Sequence, residues 1–222
     1  MDNDWIGLVA IFIMLFSIVF LGEQIRKIQG WPSEFTRKFI HIGVGFWGFV
    51  AYYRIESMWF ALIPPLSFVF INFISWKWTL LPAMEIADKR NLGTIYYPLS
   101  LCILVALFWK EPTRLIPVIG SMIMGLGDGF ASIVGQRWGR HPFHPWHHTK
   151  SLEGSLAMFV FSFLAVCGVL AVMSRNPVSV ILLRAVLMAS AATVIEALSP
   201  WGIDNLTVPV ASGLLYWLLF FQ

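Results

Sequence analysis

The sequence predicts an all-α fold, a polytopic transmembrane helical bundle of seven to eight spans. Three observations carry that expectation. Hydrophobic residues make up 58 % of the 222-residue chain and charged residues only 12 %, about half the charge of a soluble domain. Mean hydropathy is +0.76. The apolar residues also fall into repeated runs approaching the ~20 residues that cross a bilayer. The loops between the runs leave no room for a soluble unit, so residues 1–222 are expected to form one integral-membrane domain.

The runs lie near 5–22, 39–53, 58–75, 95–109, 115–135, 155–173, 178–198 and 206–221. The first, "WIGLVAIFIMLFSIVFLG", follows an acidic "MDND". It lacks the positive start and small-residue cleavage site of a secretory signal, so a retained helix is expected. The second is short for a span and is expected to tilt or to pair with its neighbour. The fifth contains Asp128 and the seventh Arg184. The eighth follows a helix break at Pro200 and Gly202. Cys102 and Cys167 both fall inside spans, with neither metal spacing nor a disulfide framework.

The basic residues set the orientation. Arg26, Lys27, Arg37, Lys38, Lys77, Lys89, Arg90, Arg137, Arg140 and Lys150 occupy one set of alternate loops. Arg54, Lys110, Arg114 and Arg175 occupy the other. Ten against four places the first set in the cytoplasm and both termini outside. The net charge of +3 lies between apolar spans, which suits orientation and phosphate chemistry and argues against a nucleic-acid partner.

The unusual polar groups collect on that same side. Ser121, Gly125, Asp128, Ser132 and Gly135 follow spacings that share one helix face. A carboxylate at membrane depth costs ~3 kcal/mol or more and usually faces an interior or a wet cavity. Asp128 therefore suits a hard cation such as Mg²⁺, which takes oxygen ligands; the plainer alternative is a packing face whose aspartate pairs with a buried arginine. In "RKFIH", Arg37, Lys38 and His41 can point to one side of a helix start, a phosphate site or an ordinary basic flank. "TKSLEGS" holds Lys150, Glu153 and Gly154 at a helix start that Thr149 or Ser151 can cap. Its alternatives are anion binding and a plain capped helix with a Lys–Glu pair. "EALSPWGIDN" brings Glu196, Asp204 and Asn205 toward the same side, as site or as simple turn. His141, His144, His147 and His148 lie in a loop with two prolines and no cysteine, which disfavours a compact zinc site. That loop is expected at the interface, with Trp138 and Trp146 at headgroup level.

Taken in order, "RKFIHIGVG", "GTIYYPLS", "GDGFASIVGQRWGRH", "KSLEGS" and "EALSPWGIDNLTVP" resemble the membrane polyprenol kinase family. That family includes dolichol kinase, phytol kinase and the CTP-dependent diacylglycerol kinase, and is distantly related to phosphatidate cytidylyltransferases. The resemblance covers about residues 37–209, and its ending looks most like the phytol kinase branch and its prokaryotic relatives. It implies transfer of the γ-phosphoryl group of CTP, with Mg²⁺, to a membrane lipid alcohol. The family pattern falls on Arg37, Lys38, Asp128, Gly135, Lys150, Glu153, Asp204 and Asn205.

On that basis Asp128 is expected to hold Mg²⁺ with Asp204 or Glu153. Lys150, Arg37, Lys38 and Asn205 would bind the nucleotide phosphates, and Gly127, Gly129 and Gly135 would let backbone approach them. His41, or a spare carboxylate, would orient the alcohol or take its proton. A CMP-transferring cytidylyltransferase would use the same parts. An ion-coupled transporter with Asp128 as its ion site is the alternative of another class, disfavoured by the missing repeat and the one-sided polar cluster.

Overall fold

The computed structural model describes residues 2–84, 90–147 and 149–221. Lys89 of the basic loops and His148 of the histidine loop lie outside them, as does the side chain of His147. The chain begins with α1 (Asp2–Gln29), ~42 Å long at 1.5 Å per residue. It ends at Gly30, whose φ of +65° and N–H bond to the Arg26 carbonyl at 3.1 Å close the helix with a left-handed cap.

The expected second span is two short helices, α2 (Ser33–Gly45) and α3 (Trp47–Arg54). α2 starts well before residue 39 because Lys38 and His41 turn into the protein and are buried. Glycines make the close packing possible. An added Cβ on Gly45 would lie 3.1 Å from the Gly125 Cα, and one on Gly48 would lie 3.2 Å from the Val118 Cα.

α4 (Met58–Trp78) carries Pro64 and Pro65 inside it, and α5 (Gly93–Phe108) carries Pro98. Between them a single turn, Pro82–Met84, is tied at both backbone groups of one residue. The Ala83 N–H donates to Glu23 at 2.6 Å, and its carbonyl accepts from the Thr36 hydroxyl at 3.2 Å.

The helix Ile116–Trp138 is the axis of the bundle: 67 % of its apolar window is buried, against 22–39 % for the other four long apolar helices. It consists of α6 (Ile116–Met122), a π-helical segment (Ile123–Asp128) and α7 (Gly129–Trp138). The Ser121 hydroxyl donates to the Gly45 carbonyl at 3.0 Å. Thus Ser121, Gly125 and Asp128 all meet α2, through a π turn instead of the regular α-helix the spacing predicts.

A loop with a two-residue ladder, β1 (Pro142–Phe143) against β2 (Lys150–Ser151), leads to α8 (Leu152–Met173). Ser151 caps α8, its Oγ accepting from the Gly154 N–H at 3.1 Å. α9 (Val178–Leu198) and α10 (Asp204–Phe220) complete the bundle.

The architecture is the expected all-α membrane bundle. Among the described residues five helices are long and apolar enough to cross a membrane, and Gly93–Phe108 is a shorter apolar one. The runs at 39–53 and 206–221 fall on the α2–α3 pair and on the 17-residue α10, neither of which is among those five.

The end of the bundle away from the polar motifs is closed by its own bonds. Asp4 accepts from the Glu56 and Ser57 N–H groups at 2.6 and 3.4 Å. The Arg114 guanidinium donates to the Tyr52 and Ile55 carbonyls and lies over the Tyr52 and Trp109 rings.

The Gly45–Gly125 crossing is testable. A Cβ on Gly125 would fall 2.9 Å from backbone, so Gly125→Ala should cost ~1–3 kcal/mol, read as a lower unfolding midpoint in detergent. A methyl group on Gly168 would meet nothing within 4 Å, so Gly168→Ala should leave that midpoint unchanged or raise it.

Candidate functional site

Three carboxylates converge from three helix ends. Asp128 closes the π segment, Glu196 lies in the last turn of α9, and Asp204 opens α10. All three are buried, and their ligand atoms lie within 4.8 Å of one another. The turn "SPWGI" brings the last two together. Gly202 has φ +76°, and a Cβ there would fall 2.0 Å from the Asn91 side chain, so only glycine fits.

Two lysines offset the mutual repulsion of the acids. Lys38 Nζ, itself buried, is 2.5 Å from Asp128 Oδ2. Lys150 Nζ is 2.5 Å from Glu196 Oε1 and 3.5 Å from Asp204 Oδ2, and it also donates to the Glu196 carbonyl. Burial alone would lower the Lys150 pKa, but Glu196 and then Asp204 outweigh it and the net shift is upward. Lys150 therefore stays an ammonium through neutral pH. Three carboxylates against two ammoniums leave room for more positive charge, and an all-oxygen donor set suits a hard divalent cation.

His41 links this cluster to an apolar pocket. Its Nε2 lies 3.3 Å from Asp128 Oδ2 and 3.2 Å from the Met124 carbonyl. Both partners only accept, so Nε2 carries the hydrogen and Nδ1 is the ring's acceptor in the neutral tautomer. The Tyr97 ring lies tilted against the imidazole, with centroids 4.3 Å apart, fixed by its own hydroxyl donating to the Ser121 carbonyl at 3.1 Å.

Two cavities meet here. A polar cleft of about 420 Å³ is bordered by Arg37, Lys38, Asp128, Lys150, Glu196 and Asp204, within the size range of small-ligand sites. An apolar pocket runs between α1, α2, α3, α4 and α5, walled by Ile40, Trp47, Pro64, Pro65, Phe68 and Leu101. Arg37 and Asn205 border both, and His41 faces the apolar one.

The sequence-derived candidates sort accordingly. Arg37, Lys38, Asp128, Gly135, Lys150, Asp204 and Asn205 border the cleft. Glu153 does not join the carboxylates: it accepts from His141 Nδ1 at 2.7 Å, and Glu196 takes its place in the trio. Gly127 and Gly129 face helices, not the cleft. An added Cβ would strike Ser162 on α8 at 2.3 Å and Ile42 on α2 at 2.4 Å respectively. Asn205 spends its amide hydrogens within the protein, on Asp204 Oδ1 at 2.9 Å and the Gly202 carbonyl at 3.2 Å. It orients Asp204 and has no donor left for phosphate. Trp146 is exposed, with its indole N–H donating to the Leu198 carbonyl at 2.8 Å. Glu196, which the sequence does not single out as a metal-holding acid, carries a signal all the same: an acid ending an apolar helix just before a proline–glycine break.

Comparison with known proteins agrees with the family resemblance. The chain is 35 % identical over 212 residues to a phytol kinase of Synechocystis sp., covering 96 % of this chain and 90 % of that protein. It is 28 % identical over 232 residues to chloroplastic phytol kinase 1 of Arabidopsis thaliana, covering 96 % and 75 %. It is 27 % identical over 226 residues to the chloroplastic farnesol kinase of the same plant, covering 94 % and 73 %. No family model and no solved structure matches the chain.

The Lys38–Asp128 pair should behave as one unit. Breaking a buried pair from either side leaves a lone buried charge and costs ~3–5 kcal/mol. Lys38→Met and Asp128→Asn should each destabilise the purified protein by about that much. The double variant should lose clearly less than the sum, measured by unfolding in mixed detergent.

Proposed function

This chain belongs to the polyprenol and phytol kinase family, and from that premise we propose that it is a membrane lipid-alcohol kinase. It transfers the γ-phosphoryl group of CTP to the hydroxyl of an isoprenoid alcohol such as phytol, geranylgeraniol or a longer polyprenol. One observation carries the reading: a polar cleft and an apolar pocket share Arg37 and Asn205 as a common wall, beside the contact between Asp128 and His41. A water-soluble phosphate donor and a lipid acceptor need two such compartments that open on each other. The relatives' names support the isoprenoid acceptor, and the motif resemblance supports CTP.

Phosphoryl transfer depends on positioning and charge neutralisation more than on covalent chemistry by the protein. Asp128, Glu196 and Asp204 would hold Mg²⁺, which when bound offsets the negative charge of the phosphates. Lys38 and Lys150 border the cleft and can exchange part of their carboxylate contact for phosphate oxygens. Arg37, at the shared wall, offers a fork of donors to the group in transit. Asn205 keeps Asp204 oriented. His41 Nδ1 receives the alcohol proton, and the resulting imidazolium is stabilised by Asp128. The alcohol oxygen forms its bond to the γ-phosphorus as the bond to the bridging oxygen breaks, leaving CDP. The ten-to-four distribution of basic residues supports a cleft facing the cytoplasm, where nucleotide is available.

Purified protein given CTP or ATP labelled at the α- or γ-phosphate, with phytol, farnesol, geranylgeraniol, diacylglycerol or phosphatidate, tests the proposal. γ-Label should pass from CTP to an isoprenoid alcohol. α-Label on the lipid with release of pyrophosphate would instead establish CMP transfer, and no transfer to any lipid would refute the reading.

Chelation with EDTA should abolish activity, and Mg²⁺ should restore it. Glu196→Gln and Asp204→Asn should each raise the Mg²⁺ needed for half-maximal rate tenfold or more, while Glu153→Gln should keep the wild-type requirement.

A further inference from the structure

The apolar pocket is not uniformly apolar. Asn72 on α4 lines it and is only 5 % exposed. Its orientation follows from a proline on the neighbouring helix. Pro98 has no N–H, so the Thr94 carbonyl, four residues earlier on α5, has no partner within its helix. Asn72 Nδ2 supplies one, donating to that carbonyl at 2.7 Å. A carbonyl can only accept, so this bond fixes which end of the amide is nitrogen. The other end, Asn72 Oδ1, is buried with no hydrogen-bond partner among the described residues. A buried unpaired acceptor costs ~1–3 kcal/mol, and such groups call for an explanation.

Arg37, at the wall shared with the cleft, has Glu34 as its carboxylate neighbour at 3.8 Å and is the pocket's donor to phosphate; the polar side chains deeper in the pocket wall have their donors committed. Tyr97 donates to Ser121, His41 Nε2 faces Asp128 and Met124, and the Asn205 amide is held by Asp204 and Gly202. Trp47 Nε1 is also unpaired, but it is a donor, and it lies six residues beyond His41, ~9 Å deeper along α2 and α3. Away from Arg37 at the border with the cleft, what this half of the pocket has to offer is acceptors, Asn72 Oδ1 and His41 Nδ1. It is built for a ligand that donates a hydrogen bond and is otherwise hydrocarbon.

We propose that Asn72 is the positioning residue for the acceptor: its Oδ1 receives the O–H of the lipid alcohol, whose first carbons occupy the pocket bounded by Pro64, Pro65 and Phe68. The assignment rests on the lipid-alcohol kinase reading and deepens it. A single O–H has one hydrogen, so Asn72 holds the alcohol on entry, and the hydrogen turns to His41 Nδ1 when the oxygen attacks. The same geometry selects alcohols over the corresponding aldehydes, ethers and esters, which cannot donate. Sites that hydrogen-bond a substrate hydroxyl reject analogues lacking it far more strongly than apolar walls reject a change in size.

The experiment has two arms on the full-length protein in detergent. In the first, phytol, its O-methyl ether and the corresponding aldehyde are titrated without nucleotide, and binding is read from tryptophan fluorescence. Wild type should bind the alcohol at least tenfold tighter than the ether or aldehyde, and Asn72→Leu should lose that preference. Equal binding of all three by wild type would overturn the proposal. In the second arm, Asn72→Leu should raise KM for the alcohol tenfold or more while KM for CTP stays within twofold, and Asn72→Gln should recover part of the loss. Unchanged alcohol KM, or both KM values rising together, would reduce Asn72 to a strut for α5. Binding with the expected preference but no phosphoryl transfer would overturn the kinase reading and leave the pocket assignment standing.

Discussion

The contact between Lys38 and Asp128 joins two helices through opposite charges at the buried edge of the polar cleft. α2 and the π segment approach at Gly45 and Gly125, with no side chains between them. The ion pair, at 2.5 Å, lies further toward the cleft. Neither charge could be buried there alone. An isolated charge in a low-dielectric interior costs several kcal/mol, and only a well-placed partner offsets it. The pair therefore sets how α2 lies against the central helix. That placement in turn puts Arg37 at the wall between the cavities and His41 beside the carboxylate. On the opposite wall Lys150 does the equivalent for α9 and α10 by holding Glu196 and Asp204.

The two cavities follow from how these helices end. Helix ends present polar or charged groups to the cleft: the starts of α2, α8 and α10, and the ends of the π segment, α7 and α9. The apolar pocket lies against helices whose backbone is interrupted by proline, α4 at Pro64 and Pro65 and α5 at Pro98. Proline frees a carbonyl in each case. In α5 that carbonyl is answered by Asn72, which sets a polar group in an otherwise greasy wall. Solvent-facing chemistry and lipid-facing chemistry thus share a border only a side chain thick.

Much of this was legible in the sequence, and for one reason. In an apolar chain a charge is expensive, so Arg37, Lys38, Asp128, Lys150, Asp204 and Glu196 stood out, and the alternating loops put them on one side. What stayed illegible was who pairs with whom. Lys38 and Lys150 looked like phosphate ligands, and nothing in the spacing says that each already grips a carboxylate. Glu153 and Glu196 look equally suited to a metal. Only the packed structure shows that Glu153 turns to His141 while Glu196 joins Asp128 and Asp204. The glycines misled in the same way: Gly127 and Gly129 make room for Ser162 and Ile42, neighbours far away in the chain. Asn72 carried no signal at all, because the missing N–H of Pro98 matters to it only once α4 and α5 lie side by side.

The wider winding between Ile123 and Asp128 has its own consequence. A π turn takes in one more residue than an α turn would. Were this stretch to tighten to ordinary α geometry, Asp128 would swing by about 100°, the angle between successive residues of an α-helix. It would leave both Lys38 and His41, stranding two unlike charges in a greasy interior. The axis of the bundle thus behaves like a spring wound one notch loose and pinned by a single electrostatic latch, so the catch that secures the carboxylate also keeps the coil from closing.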